Sequence, residues 1–94
     1  MKVQLTQSAV SDLEELRRFY ADQGAPDVGK RFIWEILGKA GRLAKFPDSG
    51  RVVPEFEMPA LREIIVPPFR VVYRRDKDDI WVARVWRSER LLRV

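Results

Sequence analysis

A chain of 94 residues, 46% apolar and 34% charged, holds one domain with one modest core, a composition that excludes intrinsic disorder. No stretch reaches the roughly 20 apolar residues of a bilayer crossing, and Met1-Lys2-Val3-Gln4 lacks the apolar run of a secretion signal, so a cytoplasmic location is expected. With no cysteine and no histidine, thiolate and imidazole metal sites and histidine acid–base chemistry are excluded; no metal or cofactor is expected, and any chemistry must use Glu, Asp, Arg, Lys or Tyr.

In chain order, residues 2–7 alternate weakly, with Val3 and Leu5 on one side, and predict a short strand. Thr6 or Ser8 is placed to cap a helix whose apolar positions Ala9, Leu13, Leu16 and Tyr20 recur at helical spacing. Residues 22–26 interrupt the pattern, and Pro26 followed by Asp27 opens a second helix with Phe32, Ile33, Ile36, Leu37, Ala40, Leu43 and Ala44 as its apolar stripe. So short a connection predicts antiparallel helices. Trp34 lies off this stripe, at the core edge or on a partner surface.

Beyond Gly50 the period falls to two. Residues 52–53 predict a short strand ended by Pro54, and residues 61–66, 69–75 and 80–87 predict three longer ones, the last two joined by a hairpin turn at residues 76–79. The fold class that follows is α+β: an N-terminal strand, an antiparallel helical hairpin, then an antiparallel meander of three to four strands with the helices on one face. If Arg75 pairs with Ile80 and alternation is strict, Phe69, Val71, Tyr73, Ile80, Val82 and Trp86 face the helices. Arg70, Val72, Arg74, Trp81, Ala83, Val85 and Arg87 then face outward. Strict alternation also puts Arg84 on the apolar face, where it needs an acidic partner such as Glu63.

The net charge is +4 and the pI near 9.9. The excess sits in the strand-rich half: residues 51–94 hold ten Lys or Arg against seven Asp or Glu, whereas residues 1–50 hold eight against seven. Arginine is rarely buried unpaired. The strand arginines therefore either solvate an exposed sheet face or build a surface for an anionic or acidic partner.

Several segments carry a resemblance: Thr6-x-x-Ala9-x-x-Asp12-Leu13, Leu43-x-x-Phe46-Pro47-x-x-Gly50-Arg51, Pro54-Glu55-Phe56, Leu61-Arg62-Glu63, Phe69-Arg70-Val71-Val72-Tyr73 and Ile80-x-Val82-x-Arg84-Val85-Trp86. In this order and spacing they resemble the RelE/ParE superfamily of toxins from type II toxin–antitoxin modules. The resemblance implies a growth-inhibiting toxin, encoded in a bacterium or its plasmid, whose cognate antitoxin lays an extended or helical segment across it in a hetero-oligomer. Its members act in two ways: ParE-like members poison DNA gyrase, and RelE-like members are metal-independent endoribonucleases that cut messenger RNA in the ribosome. For the nuclease the resemblance implies Glu55 as base, with Arg62, Arg70 and Arg87 around the phosphate. Many nuclease members carry His or Tyr after the last strand, where this chain reads Trp86-Arg87-Ser88-Glu89-Arg90, and arginine is a poor proton donor near neutral pH. ParE-like inhibition of gyrase is therefore the expected function, with Arg62, Arg70, Arg74, Trp81, Arg87 and Arg90 as the expected target- or antitoxin-binding residues.

Overall fold

The computed structural model describes residues 1–88. Strand β1 (Lys2–Leu5) leads into helix α1 (Gln7–Asp22) through Thr6. The Thr6 hydroxyl oxygen accepts the Ala9 N–H at 3.1 Å, satisfying one of the helix's unpaired first-turn donors. The same hydroxyl donates to the Ala83 carbonyl at 2.9 Å, so the cap also ties the helix start to the last strand. Ala9, Leu13 and Leu16 are buried as their spacing predicts.

Gly24 takes a φ of +75° in the connection, a conformation that costs a residue without Cβ little. Helix α2 (Pro26–Gly41) begins with proline at its first turn and buries Gly29, Ile36 and Ale-free contacts of Ala40 against its neighbours. The buried Gly29 marks the close approach of the two helices: a Cβ there would stand 3.1 Å from the Tyr20 Cβ. A 3-10 turn, Arg42–Ala44, follows and buries Leu43. Leu37, expected on the stripe, is exposed, and Trp34 is 77% exposed and so does not belong to the core edge.

Strands β2 (Arg51–Val52), β3 (Leu61–Val66), β4 (Phe69–Arg75) and β5 (Asp79–Arg87) complete a five-stranded sheet in the order β1-β5-β4-β3-β2. β1 runs parallel to β5, and the other pairings are antiparallel. The expected pairing of Arg75 with Ile80 is observed. β2 starts one residue earlier than expected, and Val53 is buried just beyond its end.

The helices cover one sheet face. Ala9, Leu13, Leu16, Ile36 and Ala40 pack with Val66, Phe69, Val71, Val82 and Val85, and each fully buried Val, Leu, Ile or Phe among them contributes about 1.5–3 kcal/mol. A smaller cluster joins Leu43, Tyr73 and Ile80.

One face assignment from strict alternation fails. The β4–β5 register shifts between Val72 and Tyr73: Val72 lies opposite Arg84 but Tyr73 opposite Val82, leaving Ala83 as the extra residue of a bulge. A bulge reverses the side-chain phase of everything beyond it. Val85 and Arg87 therefore lie on the helix side and Arg84 and Trp86 on the open side, the reverse of the expectation. Arg84 finds its partner in Asp12 of α1 and not in Glu63, with Nε–Oδ2 at 2.8 Å and Nη2–Oδ1 at 2.9 Å. Asp12 Oδ2 also accepts the Val85 N–H at 2.9 Å. The bulge and this carboxylate together remove the anomaly of a lone charge in the apolar layer.

Candidate functional site

The open face of the sheet carries a charged cluster drawn from four segments. Glu63 lies opposite Val72 and Arg70 opposite Ile65, which makes the two residues diagonal neighbours on one face. Arg70 Nε donates to Glu63 Oε1 at 2.7 Å. The far end of the same guanidinium grips Glu55, in the segment after β2, with Nη1–Oε2 and Nη2–Oε1 both at 3.0 Å. Arg51 Nε closes the group on Glu63 Oε2 at 2.6 Å. The side chain of Arg70 is 1% exposed and that of Glu63 fully buried, whereas Arg51 is largely in solvent.

Two guanidinium groups thus meet two carboxylates, and the cluster carries no net charge. Charges this deeply buried persist only when paired and hydrogen-bonded. The Arg70 guanidinium, with a smaller contribution from Glu55's own backbone N–H, holds the Glu55 carboxyl below its ordinary 4.5. Arg70 is in turn held more firmly protonated, by Glu55 first. Because the folded value lies below the unfolded one, Glu55 contributes stability at pH above 4.5 that is lost as acid carries the solution down through the folded value. We expect the stability difference between the wild type and Glu55→Gln, measured by urea unfolding, to be full at neutral pH and to vanish progressively below pH 4.5.

The other expected site residues scatter. Arg62 lies opposite Tyr73 and braces the turn before β2, donating from Nη1 to the Gly50 carbonyl at 2.9 Å and from Nε to the Pro59 carbonyl at 3.1 Å. Beside it the Tyr73 hydroxyl donates to the Pro47 carbonyl at 2.8 Å and accepts the Gly50 N–H at 3.0 Å, and burial pushes that phenol up. Arg74 and Trp81 do lie opposite one another on the open face, with Arg74 paired to Asp76 at 3.1 Å. Arg87 is on the helix side, where Nη1 donates to the Tyr20 hydroxyl at 2.9 Å and the guanidinium sits 5.6 Å from the Phe69 ring centroid. Arg90 lies outside the described residues.

Arg70, Arg74 and Trp81 are therefore brought to one face, and Arg62 and Arg87 are not. Sequence reasoning missed Trp86 and Arg84, which the bulge adds to that face, the Arg84 guanidinium lying 4.9 Å from the Trp86 ring centroid. Glu55 grips Arg70 and not Arg51 or Arg62. Among the described residues no group of three or more acidic side chains gathers as a metal site would require, and no helix is long and apolar enough to cross a membrane.

Comparison with known proteins bears on this arrangement. The sequence profile described as the ParE toxin of type II toxin–antitoxin systems, parDE, matches residues 3–92. A search of curated protein sequences finds no match. Among solved structures, a chain of a chromosomal ParDE toxin–antitoxin system from P. aeruginosa superimposes with a TM-score of 0.78 at 22% identity, over 93% of this chain and 95% of the other. A conserved hypothetical protein from Helicobacter pylori superimposes with a TM-score of 0.50 at 19% identity, over 98% and 99%. The profile spans both helices and every strand of the sheet, and on that ground the chain belongs to the ParE toxin family of type II toxin–antitoxin systems.

Proposed function

We propose that this toxin arrests growth by binding DNA gyrase in the cytoplasm, and that a cognate antitoxin holds it inactive in a hetero-oligomer. The observation that carries the reading is the closure of the Glu55–Arg70–Glu63–Arg51 cluster. A general base near neutral pH needs a free carboxylate of raised pKa; Glu55 is instead clamped by two hydrogen bonds and held low. Arg70, which a nuclease would turn toward a phosphate, spends its donors on internal carboxylates. What this face offers a partner is a binding surface of cations and aromatics, Arg74, Trp81, Arg84 and Trp86, of the composition found at protein interfaces. That the superimposed P. aeruginosa chain comes from a ParDE system supports an antitoxin as the second partner.

The test adds purified toxin to a gyrase supercoiling reaction and, separately, to a translating ribosome extract. Inhibited supercoiling or trapped cleaved DNA is the expected result. Messenger RNA cut within the ribosome, with supercoiling untouched, would replace this reading by an endoribonuclease.

A further inference from the structure

A second surface lies away from the open face, where β2 gives way to the preceding turn. β2 pairs only with Arg62 and Glu63 of β3. The chain upstream turns away at Ser49, leaving a groove of about 520 Å³ between the end of α2 and the β3 edge. Its size is within the range of sites that hold a ligand or a few residues of peptide. Lys39 and Arg42 stand on one wall, Phe46 beside them, and Ile64 and Ile65 on the other. Phe46 is 54% and Ile65 45% exposed, unusual for side chains of their size.

The edge itself has bonding capacity. In an antiparallel ladder, residues two apart aim their backbone groups to the same side. Leu61 accepts the Val53 N–H at 3.1 Å on the β2 side, and Glu63 faces Arg51 there, so Ile65 aims its N–H and C=O outward into the space that β2 does not reach. Pro67, next in that series, has no N–H and ends the edge. The accommodation is therefore for a short extended segment.

Charge decides its composition. Glu63, the acidic residue of the lining, is already matched by Arg51 and Arg70, whereas no ion pair engages Lys39 or Arg42 among the described residues. We infer that the groove docks a short, extended, acidic segment of a partner protein. One residue of that segment pairs its backbone with Ile65, an apolar side chain beside it lies against Phe46 and Ile65, and flanking carboxylates reach Lys39 and Arg42. Strand addition of this kind draws affinity from main-chain bonds and specificity from alternate side chains. The apolar rim favours peptide over nucleic acid. The inference is independent of which target the toxin strikes, since it uses no residue of the open-face surface.

The probe is a fluorescein-labelled ten-residue peptide of alternating glutamate and leucine, titrated into the full chain and followed by anisotropy. Expected are saturable binding that weakens with added salt and a loss of roughly tenfold in affinity for the double variant Lys39→Glu with Arg42→Glu, both exposed positions. Amide resonance shifts centred on Ile64, Ile65 and Phe46, and weaker binding by Phe46→Ser, would agree. Unchanged binding by the folded double variant overturns the inference. So does equal binding of a peptide with lysine in place of glutamate, or a single-stranded oligothymidine that occupies the groove where the acidic peptide does not.

Discussion

Replacing Arg70 with alanine should destabilise the protein by about 3–5 kcal/mol, the usual cost of stripping one partner from a buried ion pair. The variant leaves the Glu63 carboxylate buried with only the solvent-exposed Arg51 for company, and it deprives Glu55 of both its side-chain bonds. Arg70→Lys should recover little, because one ammonium cannot present the fork that spans two carboxylates. The double variant Arg70→Met with Glu63→Met should recover most of the loss, since it removes the stranded charge along with its partner. Urea unfolding of the four proteins provides the comparison, and a loss under about 1 kcal/mol for Arg70→Ala would refute this account of the cluster. A growth-arrest assay on Arg70→Ala would therefore report the loss of the fold and not of a target contact. The surface role is better tested at Arg74 and Trp81.

Gly50→Ala should also be costly, about 1–3 kcal/mol, although it adds one methyl group. A Cβ at this position would stand 2.6 Å from the Glu63 carbonyl oxygen and 2.7 Å from the Tyr73 ring and hydroxyl. Neither side can yield easily: the Gly50 N–H is bonded to that hydroxyl, and its carbonyl to Arg62. Gly38→Ala is the internal control. Nothing lies within 4 Å of a Cβ there, and alanine within α2 should gain about 0.5–1 kcal/mol. Thermal unfolding of the two variants should shift in opposite directions; a shared direction would show that the contacts around Gly50 do not set its cost.

Period and punctuation made most of the fold legible. Pro26, Gly24 and the step of Ala9, Leu13 and Leu16 placed both helices, and β-branched runs broken by prolines placed β3 and β4. The bulge was not legible, because Ala83 is neither glycine nor proline and nothing local marks an extra residue. Its cause is remote: Asp12, on a helix far away in sequence, receives both Arg84 and the Val85 N–H. The displacement of Arg87 and the exposure of Trp86 on the open side follow from that single residue. The Glu63–Arg70 pair was closer to reach. The two-residue Pro67–Pro68 turn, with Val66 opposite Phe69, carries alternation from β4 back to Glu63 and makes the two diagonal. Glu55 was out of reach, since it lies outside any strand and no periodicity governs where its side chain points.

The parallel pairing of β1 with β5 sets a schedule for biosynthesis. Translation delivers the chain from its N-terminus, yet β1 meets no sheet neighbour until β5 exists; the bond from Thr6 to the Ala83 carbonyl alone spans 77 residues. Closing so long a loop is slow compared with forming the helical hairpin. A nascent or stalled polypeptide lacking β5 therefore has no finished sheet to present, and harm to the producing cell waits on release of the nearly full-length product.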